Sequence, residues 1–135
     1  MKDSPRRVLV AGTEDAIALV TDVLGREAEV VSAHSVDEAL GYLDRPLRCI
    51  VCSVRFDESR MFDFLQALRE SPRDPPPRVI CVRVSPPALL PATRDAIRAA
   101  LEALEIRVFI DFPALVARQG TKAARERLRA AILGS

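Results

Sequence analysis

Five short hydrophobic runs recur along the chain and predict β-strands. Each run is rich in valine or isoleucine, is too short for a helix and shows little strict alternation of apolar and polar residues. This pattern is typical of parallel strands that are covered on both faces. We place the strands at Arg7–Ala11, Glu29–Ala33, Cys49–Val54, Val79–Val84 and Arg107–Asp111.

Amphipathic segments lie between and after these runs and predict five helices. The first helix runs from about Glu14 to Arg26, because Ile17, Val20 and Leu24 are spaced by three and four residues and so share one face. The other four helices carry similar apolar stripes, formed in chain order by Val36, Leu40 and Leu43, by Phe62, Leu65 and Leu68, by Ile97, Leu101 and Leu104, and by Ala124, Leu128 and Ile132.

Polar residues and prolines predict where several of these helices begin and end. Ser35 and Glu38 have the spacing of a capping box, which starts the second helix. Thr93 and Thr121 are predicted to cap the fourth and fifth helices. The third helix ends before the Pro72 to Pro77 segment, because proline lacks the N–H group that a continuing helix needs.

The alternation of strand and helix predicts an α/β fold. Short connections and right-handed crossovers favour a three-layer, doubly wound sheet of five parallel strands. We predict the flavodoxin-like strand order 2-1-3-4-5. In such folds the functional crevice lies beyond the carboxyl ends of the strands, so the residues at those ends are the candidates for a site.

Composition and charge narrow the classes of function. The 135 residues include 20 basic and 19 acidic side chains, and the net charge of +1 is too small for a protein that mainly neutralises a phosphate backbone. No apolar run approaches the roughly 18 residues of a membrane span, and the first residues lack the pattern of a secretory signal. We predict a single cytoplasmic domain over residues 1–135 that binds neither nucleic acid nor membrane.

The thiol and imidazole groups form no catalytic pattern. Cys49 and Cys52 are three residues apart in a strand and so point to opposite faces, and we interpret them, with Cys81, as reduced core cysteines. His34 is the only histidine and precedes the Ser35 cap. No spacing brings it a Cys, Ser or acidic partner, so we place it on a surface loop without a zinc site or a catalytic triad.

Four segments together resemble a bacterial response-regulator receiver domain of the CheY-like type. They are Val8 to Asp15, Cys49 to Ser53, Met61 to Leu65 and Phe109 to Pro113, and the likeness spans nearly the whole chain in element order and spacing. Domains of this family hold magnesium with two acidic residues after the first strand. They accept a phosphoryl group on an aspartate after the third strand. They also carry a serine or threonine after the fourth strand and a lysine followed by proline after the fifth.

The sequence departs from the receiver pattern at each of these functional positions. The positions of the acidic pair fall on Gly12 and Thr13, and that of the acceptor falls on Ser53. The hydroxyl position falls on Arg83 and the lysine position on Phe112, and only the proline, Pro113, is kept. A glycine and a hydroxyl bring no negative charge to magnesium, and serine without an adjacent base is a weaker nucleophile than a carboxylate. We therefore predict a degenerate pseudo-receiver in two-component signalling that has no cofactor, no metal and no enzyme activity.

Two alternatives to this interpretation stay open at the same strand ends. A shift of the first strand by two residues would present Glu14 and Asp15 as the acidic pair, with Asp57 as a displaced acceptor. The positive end of the first helix also explains the two acidic residues. In the second alternative the protein is a sensor of a small anionic ligand.

The ligand-sensor alternative uses four residues of the crevice. These are Gly12, Thr13, Ser53 and Arg83, which would present amides, hydroxyls and a guanidinium group to an anion. Arg83 has a second interpretation, as the partner of Asp57 or Asp111.

Basic residues cluster in the last third of the chain. In receiver-like folds the fourth helix, the fifth strand and the fifth helix form the face that commonly mediates dimerisation or contact with an effector. We predict an interaction face for an acidic protein partner or a homodimer, with a merely solvated surface as the alternative. Its residues are Arg94, Arg98, Arg107, Lys122, Arg125 and Arg129. Pro86, Pro87 and Pro91 predict a stiff, locked loop before the fourth helix.

Overall fold

Five parallel strands form the central sheet. The computed structural model describes residues 6–70, 77–85 and 89–134. The strands are β1 (Arg7–Ala11), β2 (Glu29–Ala33), β3 (Cys49–Ser53), β4 (Arg78–Arg83) and β5 (Val108–Asp111). All pairs are parallel and the order is β2-β1-β3-β4-β5, which confirms the predicted fold class and topology.

Helices cover both faces of the sheet. In the described ranges they are α1 (Glu14–Leu24), α2 (Val36–Gly41), α3 (Phe56–Ser59), α4 (Met61–Glu70), α5 (Pro91–Ala103), α6 (Phe112–Gln119) and α7 (Thr121–Leu133). The first helix ends at Leu24 and not near Arg26, because Gly25 leaves the helical region with a φ of 55°. None of the described helices has both the length and the apolar character that a membrane span needs.

The hydrophobic pattern predicts neither α3 nor α6. In α3, Asp57 and Glu58 have φ angles of 48° and 54°, so this short segment is a left-handed kink that no apolar stripe marks. In α6, Pro113 lies in the first turn, where the missing N–H group costs nothing. The chain after β5 therefore holds two described helices, where the sequence predicts one.

The predicted caps are confirmed at Ser35 and wrong at the two threonines. The Oγ of Ser35 accepts a hydrogen bond from the backbone N–H of Glu38 at 3.1 Å. Thr93 lies inside the first turn of α5, because Pro91 is already in the helix and Leu90 is the cap residue. Thr121 is the first residue of α7, since Gly120 with its φ of 89° makes the turn before it.

Two hydrophobic clusters confirm the three-layer arrangement. One packs Val10 and Val51 against α1, α6 and α7, and the other packs Leu9 and Ile50 against α2, α3, α4 and α5. All of β3 is buried. The apolar positions that predict the strands therefore form the core.

The cysteines belong to this core. All three are free and buried, and Cys49 and Cys52 lie in opposite clusters, as predicted. Burial raises the pKa of the Cys49 and Cys81 thiols to about 12. The thiols are therefore protonated at neutral pH.

Parts of the proline-rich segments lie outside the described residues. These parts are residues 72–76 and residues 86–88, which include Pro86 and Pro87. Of the loop prolines named above, Pro77 precedes β4 and Pro91 begins α5.

Candidate functional site

The candidate site lies at the carboxyl edge of the sheet. Because the strands are parallel, their carboxyl ends share one edge. β1 is followed by Gly12, and β3, β4 and β5 end in Ser53, Arg83 and Asp111. The sequence predicts the first three of these residues as members of the site, and it suggests Asp111 only as a partner for Arg83.

Gly12 and Ser53 are in direct contact and leave no room between them. A Cβ atom added at Gly12 would lie 3.0 Å from the Cβ of Ser53 and 3.1 Å from the Cβ of Ala16. Ser53 is only 3% exposed. Its Oγ accepts a hydrogen bond from the backbone N–H of Arg55 at 3.4 Å. A side chain at position 12 would therefore have no room beside Ser53 and Ala16.

Thr13 is engaged with Asp15 at the start of α1. The hydroxyl of Thr13 donates to Oδ1 of Asp15, which also accepts the N–H of Ala16 at 3.0 Å. The hydroxyl of Ser85, after β4, donates to the other carboxylate oxygen of Asp15 at 2.8 Å. The hydrogen bond from Thr13, followed in size by the one from Ser85, lowers the pKa of Asp15. These bonds tie α1 to the segment after β4.

Glu14 pairs with the only histidine. Nε2 of His34 lies 2.8 Å from Oε2 of Glu14, and Nδ1 lies 3.8 Å from Oε1 of Glu38. Glu38 also accepts the backbone N–H of His34 at 2.7 Å. His34 is exposed as predicted, but the prediction that it lacks an acidic partner is wrong. Because Ala11 and Ala33 are register partners in adjacent strands, the residues after β1 and β2 meet at the sheet edge.

The structure also places the residues of the shifted alternative. β1 ends at Ala11, and Glu14 and Asp15 lie in the first turn of α1, where negative charge favours the helix dipole. Asp57 accepts the N–H of Val36, the first residue of α2, at 2.8 Å, and a nitrogen of Arg60 lies 3.5 Å from it. Asp57 therefore caps α2.

Arg83 and Asp111 form a buried pair across β4 and β5. Nη1 of Arg83 donates to Oδ1 of Asp111 at 3.3 Å, and the two side chains are only 10% and 6% exposed. Among the described residues, the Oδ2 atom of Asp111 is buried and accepts no hydrogen bond. Of the two partners the sequence suggests for Arg83, the structure selects Asp111.

Arg83 and Ser53 project to opposite faces of the sheet. Ser53 is the register partner of Val82, and successive side chains of a strand alternate between the two faces. Phe112, which the receiver likeness predicts at the lysine position, begins α6 and packs partly buried against the core. The structure thus brings Gly12, Thr13 and Ser53 into one region and places Arg83 with Asp111.

The acceptor edge, defined here as Gly12, Thr13 and Ser53, does not fit the magnesium ion that the receiver likeness implies. Magnesium prefers anionic oxygen ligands in octahedral geometry. These three residues carry no carboxylate, and the nearby Asp15 already accepts three hydrogen bonds. Within residues 6–70, 77–85 and 89–134, no group of three or more His, Cys, Asp and Glu side chains is placed to hold a metal.

The six basic residues of the predicted interaction face line two separate cavities. Arg94, Arg98 and Arg107 line a groove of about 280 Å³ along β5, together with Arg118 and Arg127. We call this the basic groove. The other three line a cavity of about 480 Å³ beside α1, and they are Lys122, Arg125 and Arg129.

Two of the basic residues beside α1 are neutralised by acids of that helix and the following turn. Nη2 of Arg125 lies 2.6 Å from a carboxylate oxygen of Asp22. Two guanidinium nitrogens of Arg129 donate to the two carboxylate oxygens of Glu27, and this bond lowers the pKa of Glu27. The sequence missed these pairs because their members are about a hundred positions apart. Among the described residues, Lys122 and the arginines of the basic groove form no such ion pair, so most of the unpaired positive charge of the predicted face lies in the groove.

Comparison with known proteins bears on the fold. No protein-family model matches the sequence, and no curated protein matches it. A response regulator from Thermotoga maritima is similar with a TM-score of 0.62 at 18% identity, over 98% of this chain and 99% of that chain. The chemotaxis response regulator CheY4 of Vibrio cholerae gives a TM-score of 0.66 at 13% identity, over 97% of this chain and 100% of that chain.

A third solved structure agrees with these two. It is a response regulator receiver protein from Pseudomonas putida, with a TM-score of 0.60 at 18% identity over 87% of this chain and 96% of that chain. At such low identities the likeness concerns the arrangement of the backbone. The chain has the fold of the receiver domains of response regulators.

Proposed function

We propose that this protein is a pseudo-receiver: a cytoplasmic signalling module, spanning residues 1–135, that does not accept a phosphoryl group and acts by binding another protein. The observation that carries this proposal is the state of Ser53. The receiver likeness predicts this residue at the acceptor position, and it is 3% exposed and packs against Gly12. A bacterial two-component-type pathway is the setting that this fold favours.

The chemistry around Ser53 supports the loss of phosphoryl transfer. A serine attacks phosphorus only when a base takes its proton. The hydrogen bond to Ser53 Oγ comes from the N–H of Arg55, and an amide donor cannot accept that proton. The acids closest in sequence to the acceptor edge, Glu14 and Asp15, are paired with other groups. Among the described residues, the acceptor edge thus offers no carboxylate to a metal and no base to Ser53, which supports the proposal.

The basic groove supports the choice of an acidic protein partner. Arg98 and Arg107 are exposed and Arg94 is half-buried. Complementary charge accelerates association and selects the partner. A symmetric homodimer through the same face would bring the arginines of two copies together, since a two-fold contact joins identical patches. An acidic partner is for this reason better supported than a second copy.

The competing function, a small-ligand sensor at the acceptor edge, has weaker support. It needs the Thr13 hydroxyl, Ser53 and Arg83 to face one ligand. The Thr13 hydroxyl donates to Asp15, and Ser53 and Arg83 project to opposite faces of the sheet.

Intact-mass spectrometry after incubation with magnesium and acetyl phosphate tests the loss of phosphoryl transfer. We expect the unmodified mass, while a receiver domain that retains its aspartate gains a phosphoryl group in parallel. A phosphoryl adduct on this chain would overturn the proposal. The Asp57→Asn variant would then show whether Asp57 is a displaced acceptor.

A matched pair of charge reversals tests the interaction part of the proposal. Arg94→Glu with Arg98→Glu changes the basic groove, and Arg6→Glu with Arg26→Glu changes two exposed arginines elsewhere by the same charge. We expect a partner from the host to bind the wild type and the control pair and to be lost from the groove variant. Equal capture by all three proteins would contradict a role for the groove, and sedimentation velocity would detect a second copy as the partner.

A further inference from the structure

The basic groove concentrates positive charge from four parts of the fold. Arg94 and Arg98 come from α5, Arg107 precedes β5, Arg118 lies in the last turn of α6 and Arg127 lies on α7. Within the described residues, none of these five arginines forms an ion pair with a carboxylate. Like charges around one cavity repel one another, and a bound anion removes that repulsion.

A carboxylate oxygen that lacks a hydrogen bond lies within this arginine cluster. Asp111 lines the basic groove, and its side chain is only 6% exposed. Oδ1 accepts from Arg83, whereas Oδ2 is buried and has no hydrogen-bond partner among the described residues. A buried acceptor without a donor is costly, and such a group in a native structure calls for a missing partner. Asp111 lines the groove, so a rotation of its carboxylate about the soft terminal torsion would turn this oxygen towards a ligand there.

The shape of the basic groove favours a small molecule. Its volume of about 280 Å³ lies just below the range of roughly 300–1,000 Å³ that holds drug-sized ligands. Phe109 and Leu115 give it an apolar part. The guanidinium carbon of Arg98 lies 5.6 Å from the centre of the Phe109 ring, so a cation–π contact holds this arginine in place. A held, planar guanidinium group is suited to bidentate binding of phosphate.

We propose that the basic groove binds a small phosphorylated molecule that also carries a hydroxyl or amino group, of the size of a sugar phosphate or a mononucleotide. The arginines bind the phosphate, and the Asp111 carboxylate, rotated so that Oδ2 faces the groove, accepts the hydrogen bond from the hydroxyl or amino group. This inference goes beyond the proposed function because it needs no protein partner. A bound phosphate would also neutralise part of the surface offered to an acidic partner, so the ligand would compete with that partner.

Isothermal titration calorimetry at pH 8 tests the site with three probes: methyl phosphate, ribose 5-phosphate and adenosine 5′-monophosphate. At this pH each phosphate is a dianion, because its second pKa is about 6. Methyl phosphate has no donor for Asp111. We expect at least one of the other two probes to bind about tenfold more tightly than methyl phosphate, the factor that one additional hydrogen bond to a charged group supplies.

Paired variants locate the site. Arg98→Gln with Arg118→Gln is expected to weaken binding of the tighter probe by at least about tenfold, because two phosphate-binding cations are removed. Arg6→Gln with Arg26→Gln removes the same charge from two exposed positions elsewhere and is expected to change binding less than about twofold. Asp111→Asn is expected to reduce the preference over methyl phosphate. Circular dichroism verifies that the Asp111→Asn variant is folded. If it is unfolded, the Arg98/Arg118 variant, which leaves the Arg83–Asp111 bond intact, shows by itself whether the groove binds the probe.

Three results would overturn the inference. They are no binding of any probe, equal affinity for methyl phosphate and both other probes, and an equal loss of affinity in the control pair. The titration involves no partner and no phosphoryl donor. Its failure would leave the proposed function in place, and a phosphoryl adduct in the mass experiment would leave this inference in place.

Discussion

The acceptor edge lies at the carboxyl ends of β1 and β3, the basic groove follows the edge strand β5, and the two regions differ in charge and in packing. At the acceptor edge Gly12 and Ser53 are buried, uncharged and in contact. In the basic groove five arginines surround a cavity of about 280 Å³ that contains a buried carboxylate. The difference teaches that a chain with the receiver fold can have an uncharged, closely packed contact at the ends of β1 and β3 and a cluster of arginines along β5. Fold and chemistry are separate properties of a protein.

The segment that begins α6 differs from the receiver pattern and also forms part of the basic groove. A receiver domain has a lysine followed by proline after its fifth strand, and this chain has Phe112 and Pro113 there. Phe112 packs on the core, and Pro113 lies in the first turn of α6. This helix contributes Leu115 and Arg118 to the wall of the basic groove. The segment after β5 thus belongs both to the core, through Phe112, and to the basic groove, through Leu115 and Arg118.

The largest effect is expected from breaking the buried pair in the basic groove. Arg83→Met leaves the Asp111 carboxylate buried without its cation, and such a change lowers the free energy of unfolding by about 3–5 kcal/mol. Urea denaturation measures the loss. The double variant Arg83→Met with Asp111→Leu should recover most of it, because neither charge is left unpaired. A single variant as stable as the wild type would show that the groove does not depend on this pair.

The next effect concerns the closure of the acceptor edge. Gly12→Ala places a methyl group 3.0 Å from the Cβ of Ser53 and should lower the free energy of unfolding by about 1–3 kcal/mol. Gly41, the last residue of α2, has no atom within 4 Å of an added Cβ. Gly41→Ala is therefore the matched control and should stabilise the protein by up to about 1 kcal/mol. Equal stabilisation by both changes would mean that the acceptor edge is open.

A smaller effect tests whether Asp15 is occupied by Thr13 and Ser85. The bonds from these hydroxyls hold the pKa of Asp15 below its ordinary value of 3.8. A lowered carboxyl pKa stabilises the fold above the ordinary value, and that contribution is lost as the pH falls through the folded-state pKa. Ser85→Ala should raise the pKa of Asp15 towards 3.8. It should therefore lower the free energy of unfolding at neutral pH and leave it equal to that of the wild type in strong acid. Carboxyl NMR titration measures the pKa directly, and an unchanged value would contradict the bond.

The smallest effect is expected on the basic side next to α1. Arg129→Gln removes the donor that lowers the pKa of Glu27, so that pKa should rise to its ordinary value. The groups are exposed, and high salt should reduce the effect. NMR titration at low and high ionic strength measures it. A Glu27 pKa that is unaffected by the substitution would mean that the basic residues beside α1 are as unpaired as those of the groove.

The sequence predicts the sheet well because each strand is a buried apolar run. The predicted bounds of β1 and β2 agree with the structure, and those of β3, β4 and β5 differ by one residue at one or both ends. α6 was missed because it is a short helix set off from α7 by Gly120, whose φ of 89° interrupts the helical pattern. Regular periodicity predicts long elements and does not predict such a break.

The candidate site could be predicted only in part. That uncharged residues follow β1 and end β3 can be read from the sequence, whereas the contact between Gly12 and Ser53 depends on backbone distances. The partner of Arg83 depends on the register of β4 against β5, which no local pattern shows. The contact between Glu14 and His34 could have been predicted, because the predicted strand order already places the ends of β1 and β2 side by side.

The most direct test of the central claim is an amide NMR spectrum recorded before and after the addition of magnesium and acetyl phosphate. The absence of metal ligands and of a nucleophile at the acceptor edge predicts unchanged amide shifts for Gly12, Thr13 and Ser53. Saturable, magnesium-dependent shifts at these three residues would contradict the claim, because they would show that the acceptor edge binds the metal and the phosphoryl group after all.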